Sequence, residues 1–273
     1  MTARSLEAFP GLEAASLRAA ALTAAAARDA VAARGRFSLA LSGGATPARY
    51  FELLAAEDLP WDKVHVFWAD ERLVAPDSPD SNYRMARERL LSRAPIPEAN
   101  VHPMRGAMWP GGVNGAGPSP DAPGASAPGA GQPVQEGRAI HADATDRSVQ
   151  GEAAAGYEAV LRRFFGEGGI PAFDVVHLGL GGDGHTASLF PGQPALGERV
   201  RWVVPVFYAG ASPPVPRLTL TLPVLNAACL VLFLASGADK AALARSAFSD
   251  DGGGYPAGLV RPAGKLVWLV GEA

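Results

Sequence analysis

FDVVHLGLGGDGHTASLFPG, residues 173–192, decides how this chain is read. FDVVHLGL is short and mostly apolar, as a buried strand requires, and a glycine-rich turn follows it at once. Gly179, Gly181 and Gly184 spell G-x-G-x-x-G, the pattern of a dinucleotide fingerprint. That fingerprint needs an acidic residue about 20 positions on, closing the next strand, where it holds a ribose. Glu198 has the distance, but it precedes the next strand, WVVPVF, instead of ending it. Asp183 and His185 also flank the third glycine, where a fingerprint packs small or apolar groups. The loop therefore reads as one that presents an imidazole at a strand end. Imidazole, whose unperturbed pKa lies near 6.5, is as a class a competent base at neutral pH.

Working outward, strands alternate with helices in both directions. Residues 11–34 are alanine-rich and read as a helix stopped at Gly35. FSLAL, KVHVFWADER, WVVPVF, CLVLFLAS and KLVWLV read as strands. ARYFELLAAE, SNYRMARERLLSR, residues 152–166, TLPVLNAA and ADKAALARSAF read as helices. The alternation predicts an α/β fold: a Rossmann-like, mainly parallel sheet with helices on both faces, in one domain spanning residues 1–273. Ligands of such sheets bind beyond the carboxyl ends of the strands.

One segment breaks the pattern. Residues 106–133 contain 8 Gly and 6 Pro among 28 positions, with Asp121 as the sole charge. That composition cannot build a core of its own, and it reads as a flexible low-complexity insertion extending to residue 150. Trp109 is its one hint of a docking role.

Bulk properties exclude several classes of function. Lys+Arg number 24 against Asp+Glu 27, for a net charge of −3, so there is no basic footprint for nucleic acid and no polybasic membrane patch. The longest apolar runs are about seven residues, against the ~20 of a membrane helix. Glu7 and Glu13 interrupt the N-terminal stretch, which does not read as a signal peptide, so the cytoplasm is the expected location. Cys229, the single cysteine, excludes an internal disulfide and reads as a buried core thiol in CLVLFLA. No histidine spacing suggests a metal. His65 and His177 read as packed within strands, and His102 as part of a polar connection.

Four further stretches carry candidate chemistry. SGGATP (42–47) lies between a strand and a helix, with Thr46 as N-cap and Pro47 at the first helical position. Ser42, Gly43, Gly44 and Thr46 thus form a candidate cradle for a phosphate, though a tight turn that binds nothing has the same signature. ADER (69–72) ends a strand and sets Asp70 and Arg72 at the ligand edge, with Glu71 pointing away. Arg217 and Lys240 lie at junctions that allow both to face the same edge, as surface charges or as phosphate ligands. SPDSNYR reads as a structural turn.

Taken in order, SGGATP, ADERLVAPDSPDSNY (69–83), FDVVHLGLGGDGHTASLFPG, RLTLTLPVLNAA (217–228) and SGADKAALA (236–244) resemble the glucosamine-6-phosphate deaminase/6-phosphogluconolactonase family, on its bacterial-type lactonase side. The likeness runs over almost the whole chain, and DGHTASLFPG is its most specific part. It implies a fold shared with glucosamine-6-phosphate deaminases and ribose-5-phosphate isomerases. It also implies hydrolysis of 6-phosphoglucono-δ-lactone, a carboxylic ester hydrolase reaction of the pentose phosphate pathway, without metal or cofactor. The resemblance makes His185 the general base. It has Asp183 and Asp70 orient that histidine or the sugar hydroxyls, and Arg72 hold substrate or developing charge. Gly43, Gly44 and Thr46 would contact the phosphate, with Arg217 and Lys240 supplying charge. The expected partner is a small sugar phosphate, bound by a monomer or a homodimer. Two departures stand out: Ala45 where the family often has Ser, and the length of the insertion. The rivals are an isomerase or deaminase on the same scaffold and a non-catalytic sugar-phosphate-binding module. The deaminases carry a Glu soon after D-G-H, whereas here no carboxylate follows His185 until Glu198.

Overall fold

Strands that are apolar at every position belong inside a sheet covered on both faces. LVLFLA meets that description, FSLAL departs from it only at Ser38, whose hydroxyl donates to Asp174 Oδ2 at 2.9 Å, and both are buried throughout. In the computed structural model, which describes residues 3–106, 109 and 147–273, they lie inside a seven-stranded sheet. In chain order the strands are β1 (Arg4–Phe9), β2 (Phe37–Leu41), β3 (Val64–Trp68), β4 (Asp70–Arg72), β5 (Val101–His102), β6 (Val175–Leu178), β7 (Val203–Val206), β8 (Arg217–Leu220), β9 (Leu230–Ser236) and β10 (Lys265–Gly271). The large sheet has the order β1-β10-β9-β6-β2-β3-β5, and every pairing in it is parallel. The helices around it are α1 (Leu12–Arg34), α2 (Ala48–Ala55), α3 (Asn82–Ala86), α4 (Arg147–Phe165), α5 (Leu222–Ala227) and α6 (Ala238–Phe248). This is the mainly parallel α/β architecture that the alternation predicts.

The longest helix, α1, buries Ala15, Ala19, Ala20, Ala24, Ala27 and Ala30 and leaves Leu17 half exposed. Its inner face is methyl-sized, which lets it lie close against β9 and β10. Gly35 ends it in the left-handed conformation, φ 72°.

Several elements depart from the sequence reading. β1 went unseen because RSLEAF mixes charge with apolar residues, as an edge strand does. KVHVFWADER is two strands. The chain leaves the large sheet at Ala69, whose N–H donates to Leu41 O at 2.7 Å and whose carbonyl accepts from Leu220 N at 2.8 Å. Beyond that point β4 pairs antiparallel with β8, and β8 with β7, in a separate three-stranded sheet. SNYRMARERLLSR forms only the five residues of α3, capped by Ser81, and then a π turn over Arg87–Leu91. α4 begins at Arg147, not 152, and so takes in residues 147–150 of the presumed insertion. Gly151 does not interrupt the helix: one interior glycine costs only about 1 kcal/mol, and the alanines after it favour helix. The rest of the insertion lies almost wholly outside the described residues. Trp109 is buried edge-on against Tyr83, ring centroids 4.8 Å apart, so its indole is used inside the fold. Cys229 is exposed rather than buried: it sits one residue before β9, between buried Ala228 and Leu230. No helix of the described residues is long and apolar enough to cross a membrane.

Candidate active site

The carboxyl ends of β2, β3, β6 and β9 lead into SGGATP, ADER, GLGGDGH and SGADK, so the sheet order gathers these loops at one edge. A cleft of ≈ 250 Å³ lies there. Ser42, Gly43, Gly44, Thr46, Asp70, Arg72, His185, Arg217 and Lys240 all line it. Of the sequence-predicted residues only Asp183 stands behind the wall, against His185.

The glycine loop is shaped by close approach. A Cβ at Gly43 would lie 1.8 Å from Asn82 Oδ1, so only glycine lets α3 press its first residue against the loop. The expected capping by Thr46 is not observed. α2 starts one residue later, with Pro47 in the cap position and no side chain bonded to it. A preceding turn, Ala48 N–H to Ala45 O at 3.4 Å, takes the place of the cap. Thr46 lines the cleft instead.

The histidine loop is built more tightly. Gly184 has φ 78°, and a Cβ there would lie 2.3 Å from the Tyr255 ring. His185 Nδ1 is 2.5 Å from Asp183 Oδ1, and the same oxygen accepts the His185 backbone N–H at 3.1 Å. Burial works to raise the Asp183 carboxyl, but these two donors outweigh it and hold it below the usual carboxylate range. The His185 ring rests on Phe190, centroids 4.5 Å apart, and the Arg217 guanidinium lies 5.5 Å from the centre of that ring on its way into the cleft. Ala187, two residues on, has φ 47°, the one positive value among described non-glycine residues.

The small sheet supplies the charge. Its register sets Arg72 opposite Arg217 and Asp70 opposite Thr219. Arg217 is buried, and Nη2 donates to the carbonyls of Ser212 and Pro213 at 3.2 and 3.0 Å. Burial lowers its pKa, while Asp70 pulls the other way. Arg72 is braced by a bond from Nη1 to Asp80 O at 2.7 Å. The Nε atoms of both arginines and the Ser42 hydroxyl have no partner among the described residues. A buried guanidinium, Arg217, beside a half-buried one, Arg72, each with donor capacity to spare, suits an anion.

Two residues escaped the sequence reading, as did the setting of a third, Glu71. Asn82 donates from Nδ2 to Asp70 O at 2.9 Å. Ser188 donates to Asp70 Oδ2 at 2.8 Å. Glu71 does point away, as expected, but into the interior, where it accepts the N–H groups of Arg72, Asn82 and Tyr83 at 2.7–2.8 Å. Burial pushes its carboxyl up to about 7 against those bonds. The polar residues of SPDSNYR and the serine just after H-T-A were the available signal; a turn explained the first equally well.

The other described histidines, His65, His102 and His177, do not join the cleft. His177 is fully buried against Tyr50 and Phe51, which drives its pKa down to about 3. His102 is a strand residue stacked on Phe67 and 3.2 Å from His65, not part of a polar connection. Among the described residues no cluster could hold a metal ion. A larger cavity of ≈ 660 Å³ opens beside α1 and β1, where Arg18 pairs with Glu7 and Arg34 with Asp174.

Residues 11–116 and 129–268 match the family described as glucosamine-6-phosphate isomerases/6-phosphogluconolactonase. The chain belongs to that family. Among its relatives, a 6-phosphogluconolactonase from Synechocystis sp. is 41% identical over 249 residues, 89% of this chain and 85% of the relative. One from Nostoc sp. is 40% identical over 248 residues, again 89% and 85%. The crystal structure of 6-phosphogluconolactonase from Leishmania guyanensis superposes with a TM-score of 0.75 at 28% identity, over 98% of this chain and 96% of that one. The family name covers two chemistries, and the cleft bears on which one applies. Glu198, the first carboxylate after His185, is bound up in its own loop by the N–H groups of Arg199, Val200 and Arg201, and does not line the cleft.

Proposed function

We propose that the protein hydrolyses 6-phosphoglucono-δ-lactone to 6-phosphogluconate, with His185 as general base. The observation that carries this reading is that His185, Arg217, Lys240 and the Gly43–Gly44 loop, remote in sequence, share one cleft of ≈ 250 Å³. Asp183 accepts the Nδ1 proton, which fixes the tautomer and leaves Nε2 free to take a proton from water. The hydroxide attacks the lactone carbonyl carbon. The tetrahedral oxyanion then collapses, the ring carbon–oxygen bond breaks, and the released ring oxygen takes up a proton. Arg72 stabilises the developing charge, and Arg217, Lys240 and the glycine loop hold the phosphate. Asp70 does not contact His185: its carboxylate bonds Ser188 and Asn82, which leaves it the role of accepting from a sugar hydroxyl. No serine nucleophile is needed, because a lactone is an activated ester that a positioned water opens.

A deaminase or isomerase on this scaffold is the second reading. The position of Glu198 outside the cleft argues against it. The deciding experiment is hydrolysis of freshly made lactone against the spontaneous background, with glucosamine 6-phosphate and ribose 5-phosphate in parallel. Turnover of either of those two and none of the lactone reverses the assignment.

A further inference from the structure

Ser188 is wholly buried and three residues beyond His185, yet both of its bonds reach out of its own loop. Its hydroxyl donates to Asp70 Oδ2 at 2.8 Å, and its backbone N–H donates to Thr219 Oγ1 at 3.3 Å. Asp70 and Thr219 are register partners on β4 and β8. One residue is therefore fastened to two neighbouring strands of the sheet that carries Arg72 and Arg217. The residue before it, Ala187, holds φ 47°, a conformation that an L side chain keeps only where its surroundings impose it. The second Asp70 oxygen and the Asp70 carbonyl face Asn82 Nδ2, at 3.4 and 2.9 Å, so the carboxylate has a donor on each side.

We infer that Ser188 is a positioning residue: through Asp70 it registers the loop bearing His185 against the sheet bearing the cationic groups. The inference rests on the reading of this cleft as the lactonase site. A carboxylate held between two fixed donors is a poor base but a well-aimed acceptor, so Asp70 meets a ring hydroxyl in a set orientation and Ser188 determines that orientation. An alternative in which Ser188 merely fills the core makes its effect independent of Asp70.

A double-mutant cycle on the full chain separates the two. Ser188→Ala, Asp70→Ala and the double variant are compared by kcat and KM on the lactone, with the thermal midpoint measured on each. Ser188→Ala is expected to lower kcat/KM by about tenfold, with most of the change in KM, since the contact served is to bound substrate. In the Asp70→Ala background the same substitution is expected to cost less than about twofold. An equal factor in both backgrounds overturns the inference, as does wild-type kcat/KM in folded Ser188→Ala. Should that variant melt below the assay temperature, Ser188→Cys fills similar space with a far weaker donor, and wild-type kcat/KM there overturns the inference equally. A crystal structure of whichever variant folds gives a readout that needs no turnover: the Asp70 carboxylate rotates or the 185–188 loop shifts. If the wild-type chain fails to open the lactone while that shift is seen, the functional reading falls and the role of Ser188 stands; unmoved coordinates remove the role whatever the substrate.

Discussion

One carboxylate oxygen, Asp183 Oδ1, holds His185 twice, through the ring Nδ1 at 2.5 Å and through the backbone N–H at 3.1 Å. The aspartate thereby fixes both the tautomer and the direction of the imidazole. His185→Ala removes the base alone and is expected to lower kcat by at least about 10²-fold. The thermal midpoint should stay close to wild type, because the side chain is partly exposed and packs mainly on Phe190. Asp183→Asn keeps an acceptor but loses the charge, so kcat should fall by about tenfold with KM little changed. Initial-rate kinetics on fresh lactone check both. Near-normal turnover by His185→Ala would end the mechanism.

The phosphate cradle predicts the opposite kinetic signature. Phosphate is held alike in ground and transition states, so its ligands contribute uniform binding. Lys240→Ala should raise KM by about 10- to 100-fold, the range of a charge-assisted hydrogen bond, with kcat nearly unchanged. Arg217→Ala should do the same and also lower the thermal midpoint, since it strips a cation from beside the buried Asp70. KM values at wild-type level in both variants remove the cradle.

Gly181 tests the geometry of the base without touching it. A Cβ there would lie 2.1 Å from His185 Nδ1 and 2.8 Å from Asp183 Oδ1. Gly181→Ala must therefore push the pair apart, and kcat should drop by at least about tenfold. Gly182→Ala is the matched control, because its Cβ meets nothing within 4 Å. Equal kcat in the two variants means that the pair tolerates displacement.

How far the sequence reaches is clear from these same residues. LVLFLA declared itself an interior strand by unbroken apolarity and FSLAL by apolarity broken only at Ser38, and DGH declared a histidine beside a carboxylate because both lie within three positions. What stayed hidden depends on register between distant segments. Nothing local says that ADER leaves one sheet for another at Ala69, or that Arg72 comes to face Arg217 across it. Ser188 and Asn82 likewise look like loop polar residues until the fold brings Asp70 to them. Thr46 shows the converse failure: a cap signature of the right residue type, bypassed by one extra turn.

Glu71 makes stability depend on pH in a direction opposite to most carboxylates. It is about 1% exposed, and burial raises its pKa from the usual 4.5 to about 7. Between those two values the unfolded chain has released its proton and the folded chain has kept it. More protons are then bound in the folded state, so stability falls as pH rises through the window and levels off above about 7. The shift corresponds to ~3 kcal/mol over the whole window, as an order of magnitude. Glu71→Gln does not titrate, and its amide nitrogen opposes one or more of the N–H groups of Arg72, Asn82 and Tyr83. The variant is expected to be less stable than wild type at pH 5, with the gap narrowing by a few kcal/mol by pH 8. Urea unfolding of both proteins at pH 5, 6, 7 and 8 measures it. A gap that stays constant means Glu71 is already ionised at pH 5, held so by its three backbone donors; a gap that widens means the sign itself is wrong. Because those donors flank the turn that carries Arg72 and Asn82 into the cleft, the same titrations followed by KM show whether the protonation state of Glu71 reaches the substrate.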